Sequence, residues 1–122
     1  MSLGDSSGRV AYPGGAREPR GPVPSGATIE VCTGFYEGLA VPLDRPWLVV
    51  GRGRSVEIPF AEPTLSRAHV GFGFDGEAFF VRDLGSTNGT LVNGIRSEER
   101  ALSEGDEVQI GRLVLRFHAA AA

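Results

Sequence analysis

At 122 residues the chain has the length of one ordinary domain, which argues against a two-lobed enzyme with its site in an interdomain cleft. Hydrophobic residues at 41% and charged residues at 22% sit near globular averages, no apolar run is long enough to span a bilayer, and a net charge of -3 withholds the basic field of a non-specific nucleic-acid binder. All 12 basic residues are arginine, which excludes lysine Schiff-base and P-loop chemistry, and the lone Cys32 excludes an internal disulfide framework or a multi-cysteine zinc site.

Residues 1–26 hold 6 of the 18 glycines and 4 of the 8 prolines. With few sizeable apolar side chains they cannot bury enough surface to offset ordering entropy, so a disordered tail or linker is predicted there. No basic-then-apolar leader is visible, and with a single thiol a reducing, cytoplasmic setting is expected.

From Ala27 the texture changes to short runs rich in Val, Ile and Phe, broken by Gly, Pro, Asn and Asp. Strands are predicted at 28–33, 39–43, 47–51, 56–58, 69–74, 78–83, 90–92, 107–110 and 113–117, with one or two shorter ones between Ile95 and Leu102. Asp75-Gly76, Asn93-Gly94 and Gly111-Arg112 read as two-residue hairpin turns. About ten short strands without a long amphipathic helix imply two packed antiparallel sheets, because one sheet of that size would leave a face unburied. The expected organisation is a tail over 1–26, an all-β sandwich over 27–118 and a short extension over 119–122. Function in such folds lies in loops at one end.

Three loops are dense in polar residues: Gly51-Arg52-Gly53-Arg54-Ser55, Thr64-Leu65-Ser66-Arg67-Ala68-His69, and Asp83-Leu84-Gly85-Ser86-Thr87-Asn88-Gly89-Thr90. In them the chain resembles the forkhead-associated (FHA) family. The strand-ending Gly-Arg, the Ser-Arg-x-His, the Ser-Thr-Asn-Gly-Thr and the later Asn-Gly follow in family order between Ile29 and Phe117. The resemblance implies a β-sandwich of about eleven strands whose loops at one end bind phosphothreonine peptides.

The residue types suit that role. A phosphothreonine phosphate carries about -1.5 to -2 charges and three strong acceptor oxygens. Arg52, delivered from a strand end, can meet it with a forked pair of charge-assisted bonds, although a solvated surface arginine is the plainer alternative. Ser66 offers a short hydroxyl donor or a turn cap. Arg67 matches a family position of variable type that contacts phosphate, and Thr87 one that faces the phosphothreonine; a local loop hydroxyl is the other reading of Thr87. Asn88 presents donor and acceptor together, the complement of a peptide unit, and also suits a turn. His69 invites a base or metal-ligand role, but no second histidine or cysteine lies near it; the resemblance makes it an internal brace of the loops. Gly51, Gly89 and Gly94 are read as backbone-conformation glycines and, with Asn93, as structural. No catalytic residue, metal site or cofactor is expected.

Ser66, His69 and Asp83 supply the residue types of a hydrolase triad, but Gly85-Ser86-Thr87-Asn88-Gly89 has threonine where a nucleophile elbow needs serine. The stronger rival is a phosphate-independent protein-interaction or oligomerisation module. The resemblance also implies that the side chain three residues after the phosphothreonine is read, for which Thr64, Leu65 and the 93–95 turn are the candidates. The tail holds Ser2, Ser6, Ser7 and Ser25 but no threonine. Because the resemblance implies a pocket that discriminates against phosphoserine, the ligand is expected in trans, from a protein phosphorylated by a Ser/Thr kinase, with the chain a monomer or part of a multidomain protein. Neither nucleic acid nor membrane is an expected partner, and removing the tail is expected to leave stability and affinity unchanged.

Overall fold

A computed structural model describes residues 16–120. Eleven strands form two sheets: β1 (Thr28–Val31), β2 (Ala40–Pro42), β3 (Trp47–Gly51), β4 (Ile58–Pro59), β5 (Val70–Phe74), β6 (Phe79–Asp83), β7 (Thr90–Val92), β8 (Ile95–Arg96), β9 (Glu99–Ala101), β10 (Glu107–Ile110) and β11 (Leu113–His118). One sheet has the order β2-β1-β11-β10-β7-β8 and the other β4-β3-β5-β6-β9. Among the described residues no helix is long and apolar enough to cross a membrane.

In the six-stranded sheet the alternation of apolar and polar residues places one face inward. Ile29, Val31, Val108, Ile110, Leu113, Leu115 and Phe117 are buried there and meet Leu48, Val50, Val70, Phe72, Phe79 and Val81 of the other sheet. Each such side chain contributes about 1.5–3 kcal/mol of burial free energy.

The five-stranded sheet is buried on both faces, so β5 and most of β6 lose the alternation. On its outer face Trp47 and Phe80 lie over Gly71 and Gly73, where any Cβ would collide with their rings. The Arg82 guanidinium stands 5.5 Å from the Phe80 ring centroid and 6.0 Å from that of Trp47, and it is ion-paired to Glu99 of β9.

The described part of the tail runs onto this outer face. Residues 16–26 form neither helix nor strand, as their composition suggests. They are nevertheless tied down: Arg17 Nη1 donates to Glu99 Oε2 at 2.9 Å, Arg82 Nη2 donates to the Arg17 carbonyl at 3.0 Å, and Arg20 N donates to Phe74 O at 2.7 Å. Val23 packs against the core. The expectation of a tail standing apart from the domain otherwise falls on residues 1–15, outside the described range.

Two local expectations need correction. β4 pairs with β3 in parallel, Val50 opposite Ile58 and Gly51 opposite Pro59, because the 52–57 loop doubles back along the strand it left; Glu57 Oε1 there accepts from Val49 N at 2.7 Å. The β5–β6 connection has four residues, not two. Its Asp75 carboxylate accepts from the Glu77 and Ala78 amides at 2.8 Å each, and only Gly76 has a positive φ. The turns at Asn93-Gly94 and Gly111-Arg112 are two-residue turns as expected.

Candidate functional site

The β3–β4, β4–β5 and β6–β7 loops meet at one end of the sandwich, and backbone bonds set their spacing. Arg52 N donates to Ser66 O and Gly53 N to Arg67 O, both at 3.0 Å. Gly51 lies so close beneath that a Cβ there would run into the Arg67 carbonyl. It is therefore needed for close approach; unlike Gly89 and Gly94, whose φ values are +79° and +82°, it has no positive φ.

His69 joins the loops from inside. It is fully buried; its Nδ1 accepts from Ser66 N at 3.1 Å and its Nε2 donates to Gly89 O at 2.8 Å. Since an amide can only donate, the ring is the neutral Nε2–H tautomer and both its nitrogens are engaged. Ser66 Oγ accepts from Thr87 N at 3.0 Å. The Ser66 hydroxyl thus has no bond to His69, and a Ser–His–Asp relay through these residues is not assembled.

Asp83 organises the third loop. Its Oδ2 accepts from Gly85 N and Ser86 N at 3.0 Å, and its Oδ1 from Ser86 Oγ at 2.5 Å and Thr90 Oγ1 at 2.7 Å. Burial alone would push this carboxyl up, but the bonds from Ser86 and Thr90 outweigh it and hold the group below its ordinary value. Ser86 Oγ in turn accepts from Gly89 N at 2.9 Å.

The outward surface of this frame carries the candidate binding groups. Arg52 Nε donates to Leu65 O at 3.0 Å, which anchors the guanidinium beside a cavity of about 540 Å³ lined by Arg52, Gly53, Arg54, Ser55, Arg67 and Ala68. Asn88 Nδ2 donates to Thr64 O at 2.8 Å. That assigns the amide orientation and frees Oδ1 to accept. A second cavity, about 270 Å³, opens beside Asn88 and is bounded by Thr64, Gln109 and Arg112. Thr64 is held by Glu62 at 2.7 Å and accepts from Arg112 N at 2.9 Å.

Arg52, Ser66, Arg67, Thr87 and Asn88 are therefore brought together, with His69 and Gly89 beneath them. Asn93 and Gly94 are not part of this cluster. Asn93 braces the other edge instead, bonding Glu107 N at 2.9 Å and Asp106 at 3.0 Å. Leu65 is buried, so it cannot read a ligand side chain. Arg54 and Asp83 are the additions: the Arg-x-Arg spacing at 52–54 was a visible signal for the first, and an Asp two and three residues before Gly85 and Ser86 was one for the second.

An eleven-strand, two-sheet sandwich carrying an arginine-lined loop surface defines the class. The family model for the FHA domain matches residues 48–111, more than half of the sequence, and the chain belongs to that family. It is 41% identical over 96 residues to the glycogen accumulation regulator GarA of Mycolicibacterium smegmatis, covering 78% of this chain and 61% of that protein. It is also 41% identical over 95 residues to the oxoglutarate dehydrogenase inhibitor of Corynebacterium diphtheriae, covering 77% and 66%. Thus it spans less than two thirds of either relative. A solved FHA domain studied for its phosphothreonine-dependent interactions superimposes with a TM-score of 0.72 at 27% identity, over 79% of this chain and 98% of that one.

Proposed function

We propose that this chain is a phosphothreonine-dependent peptide-binding module that recruits, in trans, a protein phosphorylated by a Ser/Thr kinase. The observation that carries the reading is the anchored Arg52 side chain: its Nε is held by the Leu65 carbonyl, it lines the cavity, and it has no carboxylate partner among the described residues. Preorganised charge of this kind binds a dianionic phosphate at low ordering cost. Ser66 adds a hydroxyl proton, since its oxygen already accepts from Thr87. Arg67 adds a second guanidinium, and Asn88 Oδ1, left free by the Nδ2 bond to Thr64, can accept an amide of the bound peptide.

Action by binding, not catalysis, is supported by the engagement of both His69 nitrogens in structure and by the relatives' names, a regulator and an inhibitor. The lone cysteine suits a reducing, cytoplasmic setting. Titration of a phosphothreonine peptide against its unmodified twin tests the reading. Loss of the phosphate removes at least one charge-assisted contact, each worth about 1.5–3 kcal/mol or roughly 10- to 150-fold in affinity. Equal binding of the twin would shift the interface to another face, of which the β1–β2 loop with its 94%-exposed Phe35 is the strongest candidate.

A further inference from the structure

The cavity beside Arg52 holds more positive charge than one phosphate needs. Arg52, Arg54 and Arg67 all line it and all are exposed. None is ion-paired among the described residues, and no carboxylate lines the cavity to offset them. The loop geometry keeps the three together. Gly53 N is bonded to Arg67 O, and Gly53 packs so near Arg67 that an added Cβ would come within 3.1 Å of the Arg67 Cβ, so the backbone carrying Arg52 and Arg54 runs directly against Arg67. Three guanidinium groups bring three positive charges, against about -1.5 to -2 on a phosphothreonine phosphate. Roughly one positive charge is left over at this surface, where it favours anions and repels cations.

We propose that the preferred ligand carries a second anionic group close to the phosphothreonine, and that Arg54 is the residue that selects it. The proposal rests on the phosphothreonine reading above. The second group is either a carboxylate from a flanking Asp or Glu or the phosphate of a second modified residue; both present oxygen anions to a guanidinium.

The test uses the full chain and one phosphothreonine peptide with neutral flanks. Glutamate is walked through the three positions on each side of the phosphothreonine, and a further peptide set carries a second phosphate at the same positions. In the wild type, one position is expected to tighten binding about 3- to 10-fold over the neutral-flank peptide. In Arg54→Gln that gain should collapse toward onefold. It should persist in Arg20→Gln, which removes the same charge beside Gly76 at the opposite end of β5. A larger gain from the second phosphate assigns the group to a doubly modified ligand, and an equal or smaller one assigns it to an acidic flank. No gain at any position, or a gain that survives Arg54→Gln, overturns the proposal while leaving the phosphothreonine reading intact. Failure of the neutral-flank peptide to outbind its unmodified twin is a different result, which overturns that reading and this proposal with it.

Discussion

The Ser66 hydroxyl oxygen accepts the Thr87 amide proton at 3.0 Å, while the Ser66 carbonyl accepts from Arg52 N at the same distance. One residue thus links all three loops, and its hydroxyl proton is not committed to any bond within the frame. Ser66→Ala should cut affinity for a phosphothreonine peptide about 10-fold, the scale of one hydrogen bond to a charged group. The exposed Thr87 amide can turn to water, so the melting temperature should fall by no more than about 2 °C. Calorimetric titration and thermal unfolding of the same variant check both numbers.

His69→Ala should behave differently. It removes two internal bonds and leaves a cavity at a fully buried position, so a stability loss of about 2–4 kcal/mol is expected, with weaker peptide binding as a consequence. Denaturant unfolding measures this. Lost binding with unchanged stability would put the ring in contact with ligand instead.

The tail's attachment to the five-stranded sheet carries a third prediction. Removal of residues 1–23 takes away Arg17, Arg20 and Val23 and leaves Glu99 with Arg82 alone, so, against the expectation from composition that the tail is dispensable for stability, the melting temperature should drop by several degrees. Removal of residues 1–15 keeps all of these contacts. Equal melting temperatures for the two truncations would mean that residues 16–23 add nothing.

Acid stability supplies a fourth. The Asp83 carboxyl is held below its ordinary value of 3.8 despite burial, by bonds from Ser86 and Thr90. A depressed folded value means that its contribution is fully present above the ordinary value and disappears as pH falls through the folded one. Asp83→Asn, which has no such charge to lose, should therefore show a shallower fall in melting temperature than the wild type below about pH 4. Parallel curves would assign the acid lability to Glu99, Asp75 and the other depressed carboxyls.

Much of this end of the molecule was legible because its residues are close in sequence to the bonds they make. Ser66 and His69 lie three apart, and Asp83 caps amides two and three residues on, so their types at those spacings already implied loops. The hairpin turns at Asn93-Gly94 and Gly111-Arg112 needed only positive φ, a local property. What stayed hidden depends on partners far along the chain. Residues 16–23 looked like unanchored Gly/Pro sequence because their anchor, Arg17, finds Glu99 82 residues later. The closeness of Gly51 to the Arg67 carbonyl, the parallel β3–β4 pair and the shared cavity of Arg54 and Arg67 likewise arise only when separate loops are folded together.

The most direct test of the central claim is to map the site by two-dimensional nitrogen–proton NMR while titrating a phosphothreonine peptide and then its unmodified twin. The phosphopeptide should shift the Arg52 Nε–H resonance and the Ser66, Arg67, Thr87 and Asn88 signals, and the twin at equal concentration should leave them in place. Shifts from both peptides alike, or phosphopeptide shifts confined to surfaces such as the Phe35 loop, would contradict it.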